Sequence, residues 1–206
     1  MQFPDGFQYF PGYLDRAAQA ALLAEIRAIL GAAPPFTPAM PRTGKPMSVV
    51  MSNCGPLGWV TDKDRGYRYQ ATHPVTGLPW PAMPGTLLAL WRDLANYPAP
   101  PEACLINIYR DKAKMGQHVD KDERDFDAPV LSVSLGDDAV FSLGGKARTD
   151  PRLRFTVGSG DVMLLGGASR LAFHGIDRLK PGTSMLLPEG GRINLTLRRV
   201  NKLGSV

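Results

Sequence analysis

Only three histidines occur in the chain, and one of them lies in His118-Val119-Asp120, with His174 following 54 residues after the aspartate. Side chains at i and i+2 of an extended segment project to the same side, so this imidazole and carboxylate can share one ion. His174, on another strand, can close the third corner. Two imidazoles and one carboxylate on one face of an octahedron leave three positions open, the arrangement used for oxygen chemistry at non-haem Fe(II). A lone His-x-Asp is a weak signal, and the competing reading is a surface histidine beside a solvated aspartate.

The last alternating run sets Arg192, Asn194, Thr196 and Arg198 on one side and Ile193, Leu195 and Leu197 on the other. Arginine is seldom buried unless something pairs with it, so an apolar face backed by a two-arginine face asks for an anion. A dicarboxylate satisfies it, because the guanidinium fork holds a carboxylate through two charge-assisted hydrogen bonds. Asn107 and Tyr109, two apart in an earlier strand, add polar groups on one face. The alternative is an edge strand whose arginines face water.

Such residues need a sheet to hold them. Six short alternating runs are expected as strands: Cys104 to Tyr109, Val130 to Leu135, Ala139 to Leu143, Leu153 to Val157, Asp161 to Leu165 and Arg192 to Val200. Separated by glycine-rich turns, they suggest a sandwich or open barrel. A helix is expected from Asp15 to Leu30, with Leu22, Ile26, Ile29 and Leu30 on one face, Asp15 as its cap and Gly31 as its stop. A second helix is expected from about Pro84 to Asn96, with Leu87, Leu90, Trp91 and Leu94 facing the core. Of the remaining residues, His73 reads as a surface loop residue or a weak nucleic-acid contact, and Asp137-Asp138 as a solvated turn. Arg199 should turn away from Arg198 into solvent, while Met115, Met163 and Met185 read as core fillers.

The 206 residues, 44% apolar and 21% charged, suit one domain. At this length a fold removes roughly 70% of the unfolded surface from water, so it needs neither disulfides nor a structural metal. Cys54 and Cys104 form no CxxC, and Met1 to Pro11 lacks a basic flank followed by an apolar run. The expectation is therefore a reducing, cytoplasmic setting with no secretory signal and no membrane segment. Net charge is +5 and uneven: residues 101–140 hold 9 acidic and 5 basic side chains, whereas 145–199 hold 10 basic and 4 acidic. That distribution permits a polyanion partner, and equally permits ordinary solvated faces.

From about Met47 to Arg199 the chain resembles the AlkB nucleic-acid demethylases of the Fe(II)/2-oxoglutarate dioxygenase superfamily, and in particular their bacterial members. The resemblance rests on Met47 to Gly55, Gly58-Trp59, Gly66-Tyr67-Arg68-Tyr69, Pro79-Trp80-Pro81-Ala82-Met83-Pro84 and Ala103-Cys104-Leu105-Ile106-Asn107. It continues through His118-Val119-Asp120-Lys121-Asp122-Glu123-Arg124-Asp125, Gly144-Gly145, Gly166-Gly167, Ser169-Arg170-Leu171, His174-Gly175 and the Arg192 to Arg198 strand. Two departures stand out: Leu165 occupies a position where relatives carry Trp, and the loop between Trp59 and Gly66 is one residue longer. Both concern the surroundings of the pocket and not the ligand set.

The resemblance implies a mostly β fold with flanking helices around a double-stranded β-helix (jelly-roll) core. One domain would span 1–206, with an N-terminal helical extension over about 1–46, a nucleotide-recognition lid and helix over about 47–100, and the catalytic core over about 101–200. Iron would be held by His118, Asp120 and His174. 2-Oxoglutarate would be held by Leu105, Asn107, Tyr109, Arg192, Asn194 and Arg198, with Asn107 and Arg198 near its C1 end and Tyr109, Arg192 and Asn194 at C5. A flipped methylated base would lie between Trp59 and His174, among Met51, Tyr67, Tyr69, Asp122 and Arg148. The alternative for Trp59 is an ordinary core tryptophan. The implied reaction couples O2 and 2-oxoglutarate to removal of an N-methyl group from 1-methyladenine or 3-methylcytosine, giving formaldehyde, succinate and CO2. The substrate would be single-stranded or flipped-base double-stranded DNA, with RNA left open, and the protein a monomer. Competing readings are a dioxygenase of the same fold acting on protein or a small molecule, and a catalytically silent nucleic-acid-binding module.

Overall fold

Residues 3–204 are described by a computed structural model. The periodicity of the first helix is realised as α1 (Arg16–Ala32), where Leu22, Leu23, Ile26 and Ile29 are buried and the Asp15 carboxylate accepts from Ala18 N at 2.8 Å. Gly31 does not stop this helix: the chain continues through it, and the Ala33 N–H still reaches Ile29 O. A helical glycine costs only about 1 kcal/mol, so the stop falls to the following pair, Pro34-Pro35, which cannot continue the ladder. Helix α2 is shorter than expected, Gly85–Leu94, and buries Leu87, Leu90 and Trp91.

All six expected strands are present, and six more appear with them. In chain order they are β1 (Phe7–Phe10), β2 (Val50–Cys54), β3 (Gly58–Asp62), β4 (Gly66–Gln70), β5 (Ala103–Tyr109), β6 (Met115–His118), β7 (Val130–Gly136), β8 (Asp138–Leu143), β9 (Leu153–Val157), β10 (Val162–Leu165), β11 (His174–Lys180) and β12 (Arg192–Arg198). A major sheet runs β1-β10-β7-β12-β5-β2, a minor sheet β6-β11-β8-β9, and β3-β4 form a separate hairpin. Every pairing is antiparallel. This is the jelly-roll core with flanking helices.

The period of two along the strands sorts the major sheet into two faces. Ile106, Leu131, Val133, Leu135, Leu195 and Leu197 pack against α1 and α2, forming one core. The opposite face meets the minor sheet through Met51, Leu105, Tyr109, Phe141, Phe155 and Ile176, forming the second. Because β12 lies between β7 and β5, its arginines are interior. The edge-strand reading of the Arg face is therefore wrong.

Four expectations for single residues also fail. His73 is buried, with Nδ1 accepting from Val75 N and Thr76 N, so Nε2 donates to Pro34 O at 2.8 Å. It is a loop clamp and not a surface contact. Asp137 is buried rather than solvated, and its two oxygens accept from Thr183 N, Ser184 N and Gly191 N. Arg199 does point away from the Arg198 face, but it pairs with Glu102 at 3.4 Å instead of reaching open solvent. Met185 is 81% exposed and fills no core, whereas Met163 is buried.

Asp137 sits where the chain leaves the major sheet for the minor one. The preceding Gly136 has φ +93, and a Cβ there would lie 2.5 Å from Gly191 O. That turn admits only glycine, and Asp137 satisfies the amides facing it. Asp137→Ala would leave three partly buried amides, and the buried turn they close, without their acceptor. It is expected to cost at least about 2 kcal/mol of stability, measured as a fall in the urea midpoint.

Candidate active site

Antiparallel register brings His118 and His174 together. His118 ends β6, His174 begins β11, and the two are cross-strand partners with ring centroids 4.5 Å apart. Each ring presents Nδ1 to a backbone carbonyl, His118 to Gly116 O at 2.9 Å and His174 to Ala172 O at 3.0 Å. A carbonyl only accepts, so Nδ1 carries the proton and both Nε2 lone pairs are free.

Asp120 arrives differently. The strand stops at His118, so the carboxylate is placed by side-chain contacts and not by sheet register. Arg198 Nη2 donates to Asp120 Oδ1 at 2.9 Å, and Arg170 Nη1 donates to the Asp120 backbone carbonyl at 2.8 Å. Oδ2 has no hydrogen-bond partner and lies 3.7 Å from His174 Nε2. One ligand atom from each of the three residues lies within 4.8 Å of the others, a spacing that can hold a metal ion.

Burial by itself would raise the Asp120 pKa, but Arg198 and then the two histidines outweigh it and hold the carboxyl well below the usual range. Burial, and next to it the His118 imidazole, pushes His174 down to about 4. Both ligands are ready at neutral pH without shedding a proton.

Beside the triad, one face of three central strands forms a polar floor. Arg192 pairs in register with Tyr109, Asn194 with Asn107 and Thr196 with Leu105. Arg192 is 1% exposed, stacks over the Tyr109 ring at 5.3 Å and donates from Nη2 to Ser134 Oγ. Its Nε and Nη1 have no partner, nor has Asn107 Oδ1. A buried guanidinium lacking a carboxylate is costly unless an anion completes it. These orphaned atoms fit a dicarboxylate chelating an ion at the triad. Asn194 gives its amide protons to Ser132 Oγ and Val133 O and accepts from Thr196, so it also braces the floor.

The residues expected around a base divide between the hairpin and the segment after Asp120. Trp59 on β3 is half-buried and stacks on Tyr67 of β4 at 5.6 Å and 22°, and its indole Nε1 donates to Asp122 Oδ2 at 2.8 Å. Asn53 of β2 grips the Trp59 backbone at both N and O. Gly58 allows Trp80 to pack against the hairpin, since a Cβ there would lie 2.3 Å from the Trp80 ring. Tyr69 donates its hydroxyl to Glu123, and Met51 is buried between the sheets. Arg148 is exposed, lies over the Phe173 ring at 5.0 Å, and is not part of this hydrogen-bonded set. Glu123, Arg170, Ser134 and Asn53 were not singled out from the sequence for any role. The available signal was the Arg face itself, whose charges require partners of opposite sign.

This fold and site define an Fe(II)/2-oxoglutarate-dependent oxygenase, and residues 6–198 match the family described as the 2OG-Fe(II) oxygenase superfamily. The chain is 55% identical over 196 residues to the alpha-ketoglutarate-dependent dioxygenase AlkB homolog of Caulobacter vibrioides, covering 94% of this chain and 87% of that protein. It is 46% identical over 172 residues to alpha-ketoglutarate-dependent dioxygenase AlkB of Escherichia coli, covering 82% and 79% respectively. The solved structure of OsALKBH1 superposes with a TM-score of 0.84 at 30% identity, covering 97% of this chain and 99% of that one. The chain belongs to the AlkB family, and its cofactor set is Fe(II) with 2-oxoglutarate and O2 as co-substrates.

The depressed His174 pKa fixes the sign of a stability change. Above about 6.5 the ring is neutral folded and unfolded; as pH falls toward 4 the unfolded chain takes a proton that the folded chain refuses. The metal-free protein is therefore expected to lose up to about 3 kcal/mol across that window through this group. Urea midpoints against pH test this, and His174→Asn should flatten the slope.

Proposed function

We propose that the chain oxidatively demethylates 1-methyladenine and 3-methylcytosine in DNA, reversing alkylation damage directly, with RNA as a second substrate class. The observation that carries this reading is the Trp59–Asp122 hydrogen bond, which joins a stacking ring to a carboxylate two residues from a metal ligand. In this reading His118, Asp120 and His174 hold iron, while Arg192, with Tyr109 and Asn194, holds the far carboxylate of 2-oxoglutarate beside Leu105. Asn107 and Arg198 serve its chelating end. When bound, iron with 2-oxoglutarate and O2 would supply the oxidation: one oxygen atom of O2 goes to the N-methyl group, which leaves as formaldehyde, and the other to the co-substrate, which becomes succinate and CO2.

Segment 47–100 serves as the recognition lid on a core over 101–200, with 1–46 as an extension. A base turned out of its stack lies on the Trp59 ring beside Tyr67, which is 51% exposed and available. Tyr69 and Met51 close the pocket beneath it. Asp122 keeps one oxygen on Trp59 and offers the other to the exocyclic amino group that both lesions carry. Phosphate contacts fall to Lys146, Arg148, Arg152 and Arg178, which are exposed, whereas Arg154 is taken by Asp177 at 2.8 Å. Arg170, Arg192 and Arg198 are buried and Arg199 is paired, so they are not available. We assign a monomer acting in the cytoplasm. The buried, unbonded thiols of Cys54 and Cys104, which face each other across β2 and β5, suit a reducing setting. No helix among the described residues is long and apolar enough to cross a membrane.

Protein given Fe(II), 2-oxoglutarate, O2 and a 3-methylcytosine oligonucleotide is expected to release formaldehyde and unmodified cytosine, and Asp120→Ala to abolish this at a cost in stability, because buried Arg198 loses its carboxylate partner. Asp122→Asn isolates base reading. If the amide oxygen stays on the Trp59 indole, the NH2 faces the base amino group. The expected loss in kcat/KM for 1-methyladenine and 3-methylcytosine is about 1 to 3 kcal/mol. It should be smaller or reversed for 1-methylguanine and 3-methylthymine, which present a carbonyl there; equal losses on all four would return Asp122 to a purely structural part.

A further inference from the structure

The triad and the hairpin meet at a side chain that belongs to neither. Glu123 is buried, its carboxylate almost entirely so, and each of its oxygens is engaged. Oε2 pairs with Arg170 Nη2 at 3.1 Å, while Oε1 accepts the Tyr69 hydroxyl and lies 3.6 Å from Arg198 Nε. Both arginines then reach Asp120, Arg170 at its backbone carbonyl and Arg198 at Oδ1. Tyr69 also accepts from Arg198 Nη1 at 3.4 Å. An unbroken set of contacts therefore runs from β4 through Glu123 and its two arginines to the metal-ligating carboxylate.

We propose that Glu123 is a positioning residue that sets Asp120 for iron and, through Tyr69, couples iron binding to the ordering of the Trp59 hairpin. Charge is the first reason. Asp120 and Glu123 balance Arg170 and Arg198, so the buried cluster is neutral before any ion enters. Neutralising Glu123 leaves a net positive cluster beside a site for a divalent cation. It also frees both arginines to re-aim, and Asp120 lies beyond the strand end, where its hydrogen bonds come from those two arginines. The second reason is attachment. Two neighbouring carboxylates hold the hairpin, Asp122 at Trp59 and Glu123 at Tyr69. Only the Glu123 attachment leads through the arginines to Asp120. A ligand on Asp120 Oδ2 and the bond at Tyr69 then bias the same arrangement, which is what thermodynamic coupling between two sites requires.

The test needs no nucleic acid, so its failure is separable from that of the demethylase reading on which the hairpin's substrate role rests. Co(II), inert to O2 here and visible by its d–d absorption, stands in for iron. Glu123→Gln is expected to weaken Co(II) binding about 10- to 100-fold, the range for residues that orient a metal ligand, whereas Tyr69→Phe should weaken it less, by the same factor with which Co(II) favours the ordered hairpin. Trp80 and Trp91 are buried and Trp59 is half-buried, so acrylamide quenching reports chiefly on Trp59. Co(II) should protect Trp59 from quenching in the wild type, and that protection should be lost in Tyr69→Phe. Unchanged Co(II) affinity in a folded Glu123→Gln overturns the positioning role. Equal protection of Trp59 by Co(II) in wild type and Tyr69→Phe overturns the coupling. If Glu123→Gln fails to fold because Arg170 is left unpaired, the Tyr69→Phe comparison decides by itself: lost protection supports the proposal and retained protection overturns it.

Discussion

Two arginines and two carboxylates share the interior between the sheets, and none of the four could be there alone. An isolated charge in such a place costs several kcal/mol. Asp120, Glu123, Arg170 and Arg198 are each tolerated because the others complete them, with Tyr69 and backbone carbonyls taking further hydrogen bonds and Asp120 Oδ2 left open toward the histidines. The triad inherits its geometry from this arrangement: sheet register aligns the two imidazoles, but only the charge cluster places the carboxylate. Arg192 poses the opposite case. It is equally buried but has no carboxylate among its contacts, and the fold leaves its Nε and Nη1 without partners.

Chemistry and recognition rest on parts of unequal rigidity. The polar floor lies on β5, β12 and β7, central strands paired on both sides and covered on both faces. The hairpin has two strands only, too few to be stable by themselves in water, and depends on attachments at Asn53, Trp80, Asp122 and Glu123. Under the proposed function, changes in the hairpin or its turn would therefore alter which substrate is accepted without moving His118, Asp120 or His174. Leu165 lies at the end of β10 inside the core between the sheets, paired with Phe7 and Val130, so its effect on the pocket passes through packing.

The sequence made the helices readable because Leu22, Ile26 and Ile29, and Leu87, Leu90 and Trp91, follow the helical period closely. Central strands were equally plain, being long and regularly alternating. Most of the other strands are short or interrupted: β1 and β6 have four residues each, β3 and β4 both begin with glycine, and the seven-residue β11 carries register shifts against both neighbours. His118, Asp120, His174 and the Arg face could be singled out by residue type and spacing, since few alternatives existed. Burial of polar groups could not be read this way. His73 and Asp137 look like solvated loop residues until the fold supplies partners from Pro34 and from the Thr183 to Gly191 segment, far along the chain. Glu123 and Arg170, 47 residues apart, are legible as a pair only once β12 supplies the second arginine.

The position of β12 in the major sheet has a consequence for how the protein is made. It is the last strand in chain order, yet it lies between β7 and β5, which cannot pair with each other directly. A growing chain on the ribosome can form its helices and the minor sheet, but the major sheet stays split until residues 192–198 have emerged. Such long-range closure is slow compared with local contacts. The same strand brings Arg192 and Arg198, so the pocket for the dicarboxylate and the brace on Asp120 come into being in the final step of assembly. A nascent or truncated chain thus carries His118, Asp120 and His174 before it has the brace that sets the carboxylate, and the triad takes its final shape only when the last strand is in place.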